Sequence, residues 1–246
     1  MPYKLNYNFQ PADSRDYKFQ AKTPVKVITS FIVSRKINTI LDQGYLGSCV
    51  SNVFAQNINM VTQKINMSRL MHYYCGRAIE ESSSLDDVGL DIRKAAGIIS
   101  KYGVCLESVW PYDVTKFNQL PPLTAFKQSN FFRKYIYSFV NQDLNSLKTC
   151  LVSTNSPIIF GINVYSSFMT DKVTKTGIVP IPDTLSETLE GGHCILMIGY
   201  NDVTQCFTCV NSWGKGWGAN GLFYLPYLYV TDSNLAADFC SLNFIY

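Results

Sequence analysis

The spacing of hydrophobic residues changes from a helical to a strand period near the middle of the chain. After Cys49, apolar side chains recur at intervals of four, four and three residues, at Val50, Phe54, Ile58 and Val61. This is the period of one face of an α-helix, so a long helix is predicted to begin at Cys49. Two further helices are predicted at about residues 68–80 and 91–102, and a short one at residues 144–148.

The second half of the chain reads mainly as β-structure. Short apolar runs separated by turn residues predict strands at residues 157–164, 194–200, 206–210 and 221–225. A mostly helical half followed by a mostly strand half is typical of an α+β protein with two lobes. The cleft between the lobes is the expected place for an active site.

Residues 1–35 are predicted to form an arm that precedes a single domain over residues 36–246. Within that domain, the helical lobe is expected at about 40–120 and the β-rich lobe at about 121–246. The arm contains a turn-forming cluster at residues 11–16. It also has a β-branched segment at residues 25–29 that predicts a short strand.

The composition narrows the possible partners. Of the 246 residues, 47% are hydrophobic and 16% are charged, with a net charge of +3. This favours a packed core and predicts neither a nucleic-acid nor a membrane partner. No stretch approaches the roughly 18 apolar residues of a membrane-spanning helix, and the N-terminus lacks the apolar region of a secretory signal peptide. The protein is predicted to be a monomer.

The eight cysteines are predicted to be mostly reduced core residues, because several lie in apolar runs. A reducing compartment, such as a host cytoplasm or a virus particle, is therefore expected. Cys206 and Cys209 form a C-x-x-C pair, which can bind metal. No second pair accompanies it, and this spacing on a strand points the two side chains to opposite faces. No metal and no cofactor are predicted.

Thiol chemistry is the strongest functional candidate. Cys49 is predicted at a helix N-terminus, where the helix dipole favours a thiolate. His193 follows two glycines and is expected to open a strand that faces the cleft, so that it can serve as a base. Asn211, at the end of the next strand, could orient that imidazole. The Cys49 backbone N–H and the Gln43 side-chain amide could stabilise an oxyanion. The other histidine, His72, is predicted to be structural.

Four motifs resemble those of papain-family, cathepsin-like cysteine proteases. They are Gln43-Gly44-Tyr45-Leu46-Gly47-Ser48-Cys49, Gly191-Gly192-His193, Asn211-Ser212-Trp213-Gly214-Lys215-Gly216-Trp217-Gly218, and Tyr102-Gly103-Val104 followed by Trp110-Pro111-Tyr112. The separation of 144 residues from Cys49 to His193 lies within the family range of about 130–150. The separation of 162 from Cys49 to Asn211 lies slightly beyond it.

The resemblance implies a papain-like two-lobed fold and a cysteine endopeptidase that hydrolyses a polypeptide substrate through an acyl-enzyme. It assigns Cys49 as nucleophile, His193 as base, Asn211 as its orienter and Gln43 as oxyanion donor. Trp213 would shield the bond between His193 and Asn211 from water. The resemblance also implies the substrate-binding residues, which include Trp213. Gly89 would line the non-primed side, and Ile92 would help to wall the main specificity pocket. Gly192 would leave the cleft open beside the histidine, and Asp238 or a neighbour would form the floor of the pocket, where an acid would admit basic side chains.

The sequence also departs from the family pattern. Leu46 stands where many members carry a disulfide cysteine, and the expected partner near Asp87-Val88-Gly89 is missing too. The long inhibitory pro-segment is absent, so the chain is closest in style to short-armed homologues from bacteria and large DNA viruses. Two alternatives are open for residues 11–33 of this short arm: they lie across or beside the cleft and regulate access, or the arm merely packs on the domain.

Two other functions are compatible with a Cys-His pair. A transglutaminase-like acyl transferase would use the same pair, but such enzymes generally orient the histidine with an aspartate. A catalytically silent papain-fold binding or structural protein usually lacks the nucleophile or the base. Asn211 in its Asn-Ser-Trp context, together with the presence of both Cys49 and His193, favours the protease.

Overall fold

The computed structural model describes residues 3–21, 26, 28–79, 86–129 and 135–244. Three helices from the first half pack together: α1 (Cys49–Thr62), α2 (Arg69–Ala78) and α3 (Ile92–Tyr102). The side chains of Ser68 and Asp91 accept hydrogen bonds from backbone N–H groups in the first turns of α2 and α3. Such N-caps explain where these two helices begin.

The described strands form one antiparallel sheet. They are β1 (Ser30–Ile32), β2 (Tyr135–Phe139), β3 (Ile158–Tyr165), β4 (Leu189–Asn201), β5 (Cys206–Val210), β6 (Leu222–Pro226) and β7 (Ala236–Phe244). Their order is β2-β7-β3-β4-β5-β6, and β1 from the arm pairs with β4. The combination of packed helices and an antiparallel sheet is the predicted α+β class.

Short helices also occur in the second half. They are α4 (Leu123–Gln128), α5 (Leu144–Thr154), α6 (Asp171–Thr176) and α7 (Tyr227–Thr231). Helix α5 is longer than the predicted segment 144–148, because Leu147, Cys150 and Leu151 form one buried face. It ends at Asn155, which adopts a left-handed conformation.

Strand β4 begins earlier than predicted, and this changes the setting of His193. The prediction placed His193 at the opening of a strand, after two glycines. In the structure the strand starts at Leu189, so His193 lies inside it, opposite Ile162 of β3. Pairing with β3 carries the extended backbone through both glycines, and this tertiary pairing overrides the turn signal that Gly191 and Gly192 give locally.

Two strands were not predicted. β7 lies between β2 and β3, and it pairs with both. Neither β2 nor β7 is a plain apolar run or a strict alternation, because their faces are buried to different extents along their length. Residues 25 and 27 of the predicted strand at residues 25–29 fall outside the described residues. The described residues 26, 28 and 29 are not in a strand, and the arm's strand β1 begins at Ser30.

Helix α1 connects the helical part of the protein to the sheet. Twelve of its fourteen residues are buried, because it packs against α2 and α3 on one side and β4 on the other. The polar side chains of Asn52, Gln56 and Asn57 are among those buried. This packing places the N-terminus of α1, and therefore Cys49, next to the strand that carries His193.

The remaining reactive side chains have structural settings. His72 is fully buried, and its ring nitrogens contact Ser51 Oγ at 3.0 Å and the Ala95 carbonyl oxygen at 2.9 Å. Cys206 is half-buried and Cys209 is buried on β5, as expected for opposite faces. The part of the chain that the structure describes contains no cluster of three or more metal-ligating side chains. It also contains no helix with the length and apolarity to cross a membrane.

The cap of α5 gives a test of the fold that is independent of the cleft. The Asp143 side chain accepts the Ser146 N–H at 2.8 Å. We expect Asp143→Ala to lower the free energy of unfolding by about 1 kcal/mol, because one N–H of the first turn loses its acceptor. Asp143→Ser should retain most of the stability. Urea denaturation of both variants measures the difference, and equal losses would contradict a capping role.

Candidate active site

Cys49 lies at the first position of α1 and is fully buried. Burial raises the pKa of its thiol to about 11, because a buried thiolate loses its hydration. Backbone groups of Cys194, Val50 and Cys49 itself act in the opposite direction. The thiol therefore lies beside Cys194, the residue after His193. The backbone groups around it favour the thiolate, whereas burial disfavours the thiolate and is the larger effect.

His193 and Asn211 meet across neighbouring strands β4 and β5. His193 Nε2 lies 2.8 Å from Asn211 Oδ1. Asn211 Oδ1 also accepts the Ser212 N–H at 2.8 Å, so Nε2 is the donor in the bond to His193. His193 Nδ1 has no hydrogen-bond partner among the described residues. The imidazole is therefore held in one tautomer with its other nitrogen free to accept a proton.

Aromatic and apolar packing shields the His193 imidazole from solvent. The Trp213 ring stacks on His193 with centroids 4.8 Å apart. His193 is fully buried, and burial lowers its pKa to about 4. The hydrogen bond to Asn211 raises the pKa, but this effect is smaller than that of burial. In the structure, both the thiol and the imidazole are consequently neutral near pH 7.

Gln43 joins the loop before Cys49 to the Asn211 segment. Its Oε1 accepts the Ser212 hydroxyl at 2.7 Å, and its backbone N–H donates to the Ser212 carbonyl. These bonds fix the amide so that Nε2 donates to the carbonyl oxygens of Leu46 at 3.0 Å and Lys4 at 3.1 Å. The sequence motif predicted Gln43 but not the orienting role of Ser212, which follows Asn211 directly.

The N-terminal arm lies in the cleft. Tyr3 stacks on Trp213 with centroids 4.7 Å apart and nearly parallel planes. Further along, the Tyr7 N–H donates to the Gly192 carbonyl at 2.9 Å, and Asn8 bonds to Leu90. The part of the arm in the cleft is therefore residues 3–8. The segment predicted to lie across or beside the cleft was residues 11–33.

The rest of the described arm leads away from the cleft. Phe19 and Phe139 are joined by a backbone hydrogen bond of 2.8 Å, and Asp16 forms an ion pair of 2.6 Å with Arg93. Further along the chain, β1 pairs with β4. Asp16, Phe19 and β1 thus tether the arm to the domain, and the earlier residues 3–8 cover the predicted site.

Tyr7 fills a pocket whose inner end is Asp238. Its hydroxyl donates to Asp238 Oδ2 at 2.5 Å. Its ring lies so close to Gly161 that a methyl group there would be 1.9 Å from Tyr7 Cε1. Burial raises the pKa of Asp238. Gly161 was not predicted, because a glycine inside a strand indicates a close approach without naming the approaching group.

The other predicted substrate-binding residues lie around the arm. Gly89, with φ of +78°, faces the Asn6 carbonyl at a distance that leaves no room for a Cβ atom. Gly192 supplies the carbonyl that accepts the Tyr7 N–H. Ile92 is fully buried at the start of α3. Gly89 and Gly192 thus contact the arm directly, and for Ile92 a place in the pocket wall stays a prediction.

Comparison with known proteins places the whole arrangement in one family. The family model of the papain family cysteine proteases matches residues 30–238. An uncharacterized peptidase C1-like protein of Acanthamoeba polyphaga mimivirus is 37% identical over 251 residues, covering 94% of this chain and 80% of that protein. A viral cathepsin of Adoxophyes honmai nucleopolyhedrovirus is 26% identical over 199 residues, covering 78% of this chain and 54% of that protein.

Solved structures give the same answer. Xylellain, a cysteine protease from Xylella fastidiosa, is 31% identical with a TM-score of 0.89, covering 100% of this chain and 98% of that one. Digestive procathepsin L 3 of Tenebrio molitor is 19% identical with a TM-score of 0.71, covering 93% and 74%, and it shows the fold alone. The predicted papain-like fold and its viral and bacterial likeness are confirmed. The chain belongs to the papain family of cysteine proteases, and it is a peptidase.

Proposed function

We propose that the chain is an endopeptidase whose nucleophile is Cys49, with His193 as base, Asn211 as its orienter and Gln43 as oxyanion donor. The observation that carries this proposal is the hydrogen bond from His193 to Asn211 under Trp213, which leaves Nδ1 without a partner among the described residues. A base held in one tautomer by a third group is what nucleophilic acyl transfer requires.

In the proposed reaction, His193 Nδ1 takes the proton of the Cys49 thiol, and the thiolate attacks the peptide carbonyl. The negative charge that develops on the carbonyl oxygen is stabilised by the Gln43 amide and the Cys49 backbone N–H. The imidazolium then donates its proton to the leaving amine as the C–N bond breaks. Water attacks the resulting thioester, with His193 again as base, and releases the acid product and the free thiol.

We also propose that the covered chain is a latent form. The Lys4 carbonyl occupies the Gln43 amide that would hold the substrate carbonyl. Burial keeps the pKa of Cys49 near 11 and that of His193 near 4, so the ion pair does not form while the arm lies over them. Removal of the arm restores hydration and moves both pKa values toward the formation of the thiolate–imidazolium pair.

The direction of the arm explains why it would not be cut. The family resemblance assigns the Gly89 side of the cleft to the residues that precede the cleaved bond. The arm puts its later residue Tyr7 on that side, in parallel pairing with Leu90, and its earlier residue Tyr3 on Trp213. A chain held in this reversed direction presents its amide groups with the wrong polarity to the nucleophile and the base.

The proposed setting is a reducing compartment. All eight cysteines carry free thiols, and seven of them are buried. A nucleophilic cysteine acts as its thiolate and therefore has to stay reduced. Direct measurement of free thiols in freshly purified particles or cell extracts would identify the compartment.

Covalent labelling tests the nucleophile. Incubation of a chain whose arm is loosened by Tyr7→Ala with an epoxide inhibitor of papain-like enzymes should add one inhibitor mass. Cys49→Ala in the same chain should abolish the adduct together with peptide hydrolysis. Cys206→Ala is the matched control, because Cys206 is the one cysteine that is not buried. Intact-mass spectrometry reads the result. An adduct that persists in Cys49→Ala, or that disappears in Cys206→Ala, would contradict the assignment.

The latent state is tested by loosening the arm within the full chain. Tyr7 is 4% exposed, and burying such a side chain contributes roughly 2 kcal/mol, which corresponds to about a thirtyfold change in the equilibrium between covered and open cleft. Tyr7→Ala should therefore hydrolyse short peptides about ten- to thirtyfold faster than the unchanged chain. Tyr17→Ala, in the same arm but 72% exposed, should not. Equal rates for all three chains would reject autoinhibition.

The pocket occupied by Tyr7 is proposed to select the substrate residue two positions before the cleaved bond. With Asp238 at its inner end, it should favour arginine over leucine there, and Asp238→Asn should abolish this preference. Because burial raises the pKa of Asp238, the carboxylate is neutralised at a higher pH than an exposed one. The preference should therefore decline as the pH falls through that raised value.

This prediction is measured as a ratio of kcat/KM values for two peptides that differ only at that residue, in the Tyr7→Ala chain. Asp232→Asn is the control, since Asp232 is exposed and bonds to Asn234. A ratio that Asp238→Asn leaves unchanged would remove Asp238 from the pocket. A change of the same size in Asp232→Asn would point to the overall charge of the protein.

A further inference from the structure

A buried carboxylate lies on the helical side of the cleft, beside the nucleophile loop. The Asp87 side chain is 8% exposed. It accepts the Gly47 N–H at 3.0 and 3.1 Å and the Tyr73 hydroxyl at 2.5 Å. The third donor is Lys4 of the arm, whose Nζ lies 2.8 Å from Asp87 Oδ2. No role in the proposed peptide hydrolysis uses this carboxylate.

The contacts of Asp87 place it next to the reaction centre. Gly47 precedes the nucleophile by two residues. Tyr73, which donates to Asp87, also accepts the Gly89 N–H at 3.0 Å. The carboxylate therefore ties the loop before Cys49 to the wall of the cleft, at the place where relatives of this chain carry a disulfide.

The arm shows which chemical group this wall accepts. One arm residue, Lys4, places its carbonyl oxygen on the Gln43 amide and its ammonium group on Asp87. A substrate runs in the direction opposite to the arm, so the residue whose carbonyl this amide holds lies on the Gly89 side, where Tyr73 connects Asp87 to Gly89. The side chain of that residue can contact Asp87 there. That side chain must be long enough to reach Asp87 and positive enough to replace the ammonium group.

The shape of the wall supports a long, slender side chain. A methyl group on Gly47 would lie 2.6 Å from the Asn6 side-chain nitrogen, so the absence of a side chain at position 47 creates the space that Asn6 occupies. Asn6 Nδ2 donates to the Asp87 carbonyl at 2.8 Å. When the arm leaves, this space opens, and Asp87 loses the cation that contacts it. A buried carboxylate is stabilised by a charge-assisted bond to a new cation.

We propose that Asp87 is a specificity-determining residue that selects lysine or arginine at the substrate position whose carbonyl is attacked, and that Lys4 occupies this subsite in the covered chain. The inference rests on the proposed peptidase function. It concerns a different position from the Asp238 pocket, which takes the preceding residue of the substrate.

The test uses the full chain with Tyr7→Ala, because Tyr7 lies in the other pocket and does not contact Asp87. The substrates are peptides with leucine before the varied residue, and lysine, arginine, norleucine or glutamate at the attacked position. We expect kcat/KM for lysine and arginine to exceed that for norleucine by about tenfold, the effect of one partly solvated charge-assisted bond. Glutamate should be the poorest.

Two substitutions separate charge from shape. Asp87→Asn should reduce the lysine-to-norleucine ratio to near one. The ratio is the readout, because loss of the ion pair with Lys4 also loosens the arm and changes the absolute rates. Asp86→Asn is the matched control, since Asp86 is the adjacent, exposed acid, and it should retain the tenfold ratio. A ratio that stays high in Asp87→Asn, or is lost in Asp86→Asn, would overturn the proposal.

One measurement needs no change at Asp87 and so does not depend on the folding of that variant. With the native carboxylate, the lysine-to-norleucine ratio should fall as salt is raised, because exposed and half-exposed ion pairs are screened. A ratio near one at low salt would reject the inference. Failure of the peptidase proposal looks different: no epoxide adduct would form, and none of the peptides would be cleaved.

Discussion

Burial of two ionisable side chains, Cys49 and His193, is the constraint on which the chemistry of the cleft depends. Both are fully covered, and the loss of hydration holds each in its neutral form. The arrangement of the helix terminus, the oriented imidazole and the fixed Gln43 amide favours the opposite, charged state. In the proposed reaction centre, the side-chain arrangement therefore favours the thiolate–imidazolium pair, and the cover opposes its formation.

The cover fits because the cleft is lined by residues without side chains. Gly89 and Gly192 leave their backbone groups open, so that the arm lies against them, and Gly161 makes room for the ring of Tyr7. Since the same openings would admit a substrate backbone, the arm and a substrate compete for identical surfaces. The pairing of residues 16–19 and of β1 with the domain keeps the arm nearby, which raises its effective concentration in the cleft.

The sequence predicts the parts of this protein that have local signals. The period of α1 and the spacing of Cys49, His193 and Asn211 identify the helix terminus and the site, because each signal is contained in a short segment. The path of residues 3–8 carries no such signal. It depends on backbone bonds to Gly192 and on one aromatic ring, and neither leaves a period in the sequence. The start of β4 was misplaced for the same reason, since its pairing partner β3 is distant along the chain.

The Asp87 carboxylate lies where many papain-like enzymes carry a disulfide that this chain lacks. The cysteine pair near Leu46 is absent, and in the structure the Asp87 carboxylate holds the loop before Cys49. The carboxylate does this with three donors, and it differs from a disulfide in carrying charge. A disulfide would position the loop and leave the cleft neutral, whereas a buried anion also favours any cation that can reach it. One carboxylate therefore accounts for the tether and for the ion pair with Lys4, and the proposed preference for a basic substrate residue depends on the same charge.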